Sequence, residues 1–116
     1  MKILVVDDEK SIRDVLVKLL KFKNFEAKDA ESGFKAIELV QQEKFDIVFL
    51  DVRMPQMDGL QALESLKKIN PETKYIMMTG YAEEGLVENI LEKGASACLR
   101  KPFSIDEIMS KIKELT

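Results

Sequence analysis

The chain has 116 residues, 46% hydrophobic and 34% charged, and its 18 Lys plus Arg against 21 Asp plus Glu give a net charge of −3. This is the composition of one globular domain, and it disfavours a disordered chain or a general binder of nucleic acid or membrane surfaces. A single cysteine, Cys98, and no histidine exclude an intrachain disulfide framework, thiolate-rich zinc sites and any histidine-based catalysis or phosphoacceptor.

Ile3-Leu4-Val5-Val6 is a short, continuous branched run, the pattern of a strand covered on both faces. Ile12, Val15, Leu16, Leu19 and Leu20 then recur at helical spacing and predict one apolar stripe. Phe25 to Ala30 alternates, as a half-exposed edge strand does. Ser32 is placed to cap a second helix with a stripe of Phe34, Ile37 and Val40. Ile47-Val48-Phe49-Leu50 reads as another doubly covered strand, and Leu60, Leu63 and Leu66 as a third helix stopped at Asn70-Pro71. Ile76-Met77-Met78 is the fourth strand. Leu86, Val87, Ile90 and Leu91 mark a helix over Glu83–Lys93 that Gly94 ends. Ala97-Cys98-Leu99 is a weaker fifth strand. Ser104 is placed to cap the last helix, Asp106 and Glu107 put acid in its first turn, and Ile105, Ile108, Ile112 and Leu115 form its stripe.

Strand and helix alternate five times, which predicts βαβ units with right-handed crossovers and a parallel sheet between helices. One domain over 1–116 is expected, without linker or low-complexity tract. No apolar run approaches the roughly 20 residues of a bilayer span, and the run after Met1 is too short for a secretory signal. A cytoplasmic protein is expected.

In an open parallel sheet, ligands bind beyond the carboxyl ends of the strands. The first strand ends in Asp7-Asp8, the third in Asp51, the fourth in Thr79-Gly80 and the fifth in Lys101-Pro102. If strands one and three are neighbours, the three carboxylates converge, and they repel unless a cation joins them. An oxygen-only set selects a hard cation, Mg²⁺ with Mn²⁺ as the alternative. Lys101 adds a positive charge and Thr79 a hydroxyl, a combination suited to a phosphoryl group. Neither a Walker loop nor a Gly-x-Gly-x-x-Gly is present, so the phosphoryl group would arrive on something other than a cradled nucleotide, and a carboxylate could accept it as an aspartyl phosphate. Taken singly, Asp7 and Asp8 also read as helix caps, Asp51 as a loop acid, Thr79 as a strand-end hydroxyl and Lys101 as a surface lysine.

Four segments together resemble the receiver domain of two-component response regulators, from Lys2 to the end of the chain. They are Leu4-Val5-Val6-Asp7-Asp8-Glu9, Leu50-Asp51-Val52-Arg53-Met54-Pro55-Gln56-Met57-Asp58-Gly59, Met78-Thr79-Gly80-Tyr81-Ala82 and Lys101-Pro102-Phe103. The resemblance implies a doubly wound, flavodoxin-like α/β fold with strand order 2-1-3-4-5 and five helices. It implies that Asp51 accepts a phosphoryl group from the phosphohistidine of a sensor histidine kinase or phosphotransfer protein. Asp8 and Asp51 would ligate Mg²⁺ through their side chains, Asp7 through a water, and Arg53 through its backbone carbonyl. Thr79 would move toward the phosphoryl group, Lys101 would pair with it, and the Lys101–Pro102 bond would be cis. Arg53 and Tyr81 would flank the path of the hydrolytic water and tune the lifetime of the phosphorylated state. Such a domain catalyses only its own phosphorylation and dephosphorylation.

Cys98 stands where the family usually carries an aromatic ring that reorients with the threonine. It is too small for that, so the switch is expected in backbone movement of the loop after Thr79 and of the Glu83–Lys93 helix. The kinase would dock near the first helix, with Ile12 a candidate contact. A downstream output domain or protein would read the fourth helix, fifth strand and fifth helix. No direct contact with nucleic acid or membrane is expected. Two other readings fit parts of the pattern: a Mg²⁺-dependent phosphatase or phosphotransferase working through the same aspartyl intermediate, and a flavodoxin-like cofactor binder. The first lacks a cap or substrate-binding insertion, and the second lacks a phosphate-cradling loop after the first strand.

Overall fold

An apolar run without alternation needs cover on both faces, and the fold supplies it. The computed structural model describes residues 1–80 and 86–116. In chain order the elements are β1 (Lys2–Val6), α1 (Lys10–Phe22), β2 (Glu26–Ala30), α2 (Gly33–Gln42), β3 (Ile47–Asp51), α3 (Gly59–Ile69), β4 (Lys74–Thr79), α4 (Leu86–Glu92), β5 (Ala97–Arg100) and α5 (Ile105–Leu115). The strands form one parallel sheet in the order β2-β1-β3-β4-β5, the expected doubly wound arrangement.

Successive residues on each strand enter opposite cores. Leu4, Val6, Val48, Leu50, Tyr75 and Met77 pack with Ala36, Val40, Leu63, Leu66 and Ile90 of α2, α3 and α4. Ile3, Val5, Ile47, Phe49, Ile76 and Met78 pack with Leu16 and Leu20 of α1 and Ile108 and Ile112 of α5. Each large side chain fully buried in this way contributes about 1.5–3 kcal/mol of apolar transfer free energy.

The helical stripes are narrower than their sequence pattern. On α1 the buried seam is Arg13, Leu16 and Leu20, while Val15 is 66% exposed. On α2, Gly33, Ala36 and Val40 are buried and Phe34 faces out. Leu91 and Ile105 are also exposed. Each helix touches the sheet along one line, so residues flanking that line stay wet whatever their hydropathy.

The helix ends follow local rules. Ser32 Oγ accepts from Lys35 N (3.1 Å). Ser104 and Glu107 cap each other reciprocally, and so do Asp58 and Gln61 at the start of α3, a cap the sequence pattern did not single out. Asn70 closes α3. Gly94, at φ +104°, turns the chain after α4 in the left-handed region that favours glycine. The Gly94 carbonyl accepts from Lys67 Nζ of α3 at 2.8 Å, and Lys93 Nζ reaches Glu64 at 3.1 Å. The end of α4 is thereby moored to α3. Among the described residues, no helix is long and apolar enough to cross a membrane.

Candidate functional site

Register alone brings the acids together. Val6 pairs with Leu50, so the next residues, Asp7 and Asp51, leave adjacent strands side by side. Met78 pairs with Asp51 and Thr79 with Arg100, which delivers Thr79 and Lys101 to the same edge. One oxygen each from Asp7, Asp8 and Asp51 lies within 4.8 Å of the others. Asp7 and Asp51 are buried and Asp8 is exposed, so the cluster opens to solvent on one side.

Lys101 is the cation of this group. Its Nζ donates to Asp7 Oδ2 at 2.8 Å and sits 3.5 Å from Asp51 Oδ2. Burial opposes its charge, but the hydrogen bond from its ammonium to Asp7 and the charges of Asp51 and Asp7 outweigh that and hold its pKa above the usual value. Asp51 is pushed the other way. Burial first, and then the Asp7 charge, raise its pKa from 3.8 to about 6, against the opposing pull of Lys101 and of the Arg53 backbone N–H. The Arg53 N–H donates to Asp51 Oδ1 at 3.4 Å. Among the described residues, the Lys101 ammonium contacts two of the three carboxylates, Asp7 and Asp51, and the third, Asp8, faces solvent. An all-oxygen donor set with uncompensated charge fits a hard divalent cation.

The loops that carry these groups are tightly determined. A Cβ on Gly59 would overlap the Asp51 carbonyl oxygen and lie 2.7 Å from Val52 Cα. Only glycine lets α3 begin directly beneath the β3 end, where Gly59 N donates to Val52 O at 2.8 Å. Thr79 is buried at the β4 end, and its carbonyl accepts from Lys101 N at 2.7 Å. The Lys101–Pro102 bond is cis. The Arg53 side chain is exposed at the rim. Cys98 lies half-buried on β5 against the α2–α4 core, and burial pushes its thiol pKa up. Tyr81 and the first three positions of the expected Glu83–Lys93 helix lie outside the described residues.

One residue of the site escaped the sequence reading. Arg13 of α1 is buried, donates from Nη1 to the Asp7 carbonyl (2.8 Å) and from Nε to Asp29 Oδ2 of β2 (2.9 Å). A signal was available: an arginine three residues before Leu16, on the buried seam.

The comparisons with known proteins agree with this fold. Residues 3–113 match the family model described as "Response regulator receiver domain". The chain belongs to the response regulator receiver family. It is 36% identical over 113 residues to sporulation initiation phosphotransferase F of Bacillus subtilis (strain 168), covering 97% of this chain and 91% of that one. It is 35% identical over 115 residues to chemotaxis protein CheY of Listeria monocytogenes serovar 1/2a, covering 98% and 97%. Among solved structures, chemotaxis protein CheY4 of Vibrio cholerae superposes with a TM-score of 0.93 at 26% identity, covering 99% of this chain and 98% of that one. This is a receiver domain of the two-component type.

Proposed function

We propose that this receiver, as one domain over 1–116, takes a phosphoryl group from the phosphohistidine of a sensor histidine kinase or phosphotransfer protein onto Asp51. The observation that carries the reading is Asp51 itself: a buried carboxylate beside Asp7 and Asp8, with Lys101 3.5 Å away. An Asp51 oxygen attacks the phosphorus in line, the P–N bond breaks, its electron pair leaves on the imidazole nitrogen, and an acyl phosphate forms. Asp7, Asp8, Asp51 and the Arg53 carbonyl would hold Mg²⁺, or Mn²⁺ in its place, which supplies positive charge against the phosphoryl oxygens. Lys101 neutralises a further oxygen, and the Thr79 hydroxyl donates to another. The exposed Arg53 side chain and Tyr81 shield the acyl phosphate from water.

A phosphoryl group adds a charge of about −1.5 to −2, and differential contacts convert it into a shift between two states. Thr79 and Lys101 make those contacts, and the surface of α4, β5 and α5 reads them out to an output domain or protein. With Cys98 in place of a ring, the signal runs through the backbone after Thr79 and through α4. The phosphohistidine partner meets the α1 face, where Ile12 and the exposed Val15 border an apolar groove that continues to Lys101 and Phe103. The domain works in the cytoplasm, touches neither nucleic acid nor membrane, and turns over only its own phosphoryl group.

The test is phosphorylation by acetyl phosphate followed by intact mass. We expect one phosphoryl group per chain, formed only when magnesium is present and absent from Asp51→Asn. Equal labelling of Asp51→Asn, or labelling that ignores magnesium, would refute the proposal.

A further inference from the structure

The site is held by more than its own acids. Asp7 is fixed at four atoms. Its N–H donates to Ala30 O (3.2 Å), its Oδ1 accepts from Glu9 N (2.9 Å), its Oδ2 from Lys101 (2.8 Å) and its carbonyl from Arg13 Nη1 (2.8 Å). Asp8, by contrast, has no hydrogen-bond or ion-pair partner among the described residues, yet one of its carboxylate oxygens reaches the cluster. Its direction therefore comes from the backbone. The carbonyl that Arg13 grips belongs to the planar peptide unit that leads into Asp8.

Arg13 is suited to that grip. Its guanidinium donates in two directions at once, to a backbone oxygen on β1's exit and to the Asp29 carboxylate on the edge strand β2. A lysine donates from one nitrogen and lacks the rigid fork that places Nε on Asp29 and Nη1 on the Asp7 carbonyl. The Arg13 side chain is 11% exposed, and these two partners offset the cost of burying its guanidinium.

We infer that Arg13 is a positioning residue for the divalent cation: by holding the Asp7–Asp8 peptide plane against β2, it aims Asp8 into the site and sets metal affinity without touching the metal. The inference rests on the metal-binding reading above. It makes a prediction opposite in sign to simple electrostatics. Arg13 is a cation near a cation site, so removing its charge lowers repulsion and by Coulomb's law alone tightens binding. Loss of positioning loosens it, as loss of partners that orient metal ligands does, by about tenfold or more.

The experiment is calorimetric titration of Mg²⁺ into chelator-stripped protein, comparing the unmodified chain with Arg13→Gln and Arg13→Lys. Arg13→Lys keeps the charge and most of the stem, so it carries the test if Arg13→Gln does not fold. We expect both to bind Mg²⁺ about tenfold more weakly. Thr73→Val serves as the stability control. It removes a buried hydrogen bond to the Phe45 carbonyl (2.7 Å), and it lowers the melting temperature without changing Mg²⁺ affinity. Tighter binding by Arg13→Gln, or unchanged binding by Arg13→Lys, overturns the role of Arg13 and leaves the metal reading intact. An unmodified protein that binds no Mg²⁺ overturns both.

Discussion

Replacing Asp51 by asparagine should stabilise the metal-free protein, by an amount that depends on pH. Asp51 keeps its proton up to about pH 6 in the fold against 3.8 as an ordinary carboxyl. The folded state therefore binds the proton more tightly than the unfolded one, and stability falls as pH rises through this window. Across the whole window the loss is about 3 kcal/mol. It is present in full near pH 7.5 and amounts to about 1 kcal/mol near pH 4.5, where the folded carboxyl is mostly protonated. Asparagine has the same shape and no charge, so Asp51→Asn recovers that loss. In chelator-treated samples its melting temperature should rise by about 10 °C near pH 7.5 and by about a third of that near pH 4.5. Saturating Mg²⁺ should erase the advantage, because the cation stabilises only the charged site. A gain of equal size at both pH values, or none near neutrality, would show that the burial and crowding of the Asp51 charge is not what limits stability.

Four further outcomes follow from the same geometry. Lys101→Met leaves Asp7 and Asp51 facing each other without their cation; urea titration of metal-free protein near neutrality should show a loss of about 3 kcal/mol or more that shrinks in acid. Gly59→Ala forces the Asp51 carbonyl aside and should destabilise by more than about 2 kcal/mol, with amide NMR shifts centred on Asp51 and Val52. Tyr75→Phe removes the buried hydroxyl lying 3.0 Å from the Leu66 and Asn70 carbonyls, so calorimetry should show a cost of about 1–2 kcal/mol with Mg²⁺ affinity untouched. Arg53→Ala and Tyr81→Ala should each speed loss of the phosphoryl group in a dephosphorylation time course; unchanged or slower loss counts against shielding.

The fold was legible because apolar runs, periodicity and end residues agreed. Ile47 to Leu50 read as a doubly covered strand, and the acid at its end fell where parallel sheets place their ligands. Convergence of Asp7 with Asp51 needed only the neighbouring of β1 and β3. Arg13 with Asp29 was not legible in the same way. Their contact joins a helix to an edge strand whose register no local pattern states, and the expected alternation of that strand is not its burial pattern: Ala27 and Ala30 enter opposite cores, and Asp29 shares the Ala27 face toward α1. Val15 and Phe34 misled for a related reason: hydropathy marks a broad stripe, and the sheet receives only its centre. The reciprocal cap of Asp58 was hidden because the residue already belonged to a motif read for chemistry.

The mooring of α4 sets how that helix can respond. Lys67 holds the Gly94 carbonyl and Glu64 holds Lys93, so the end farthest from Thr79 is tethered. Under the proposed function, a push arriving from the β4 end would move the Leu86 end more than the tethered Gly94 end, as a door turns on its jamb. Displacement would then grow along the helix toward Leu86, and a reader that gripped that end would sense more travel than one resting on Glu92.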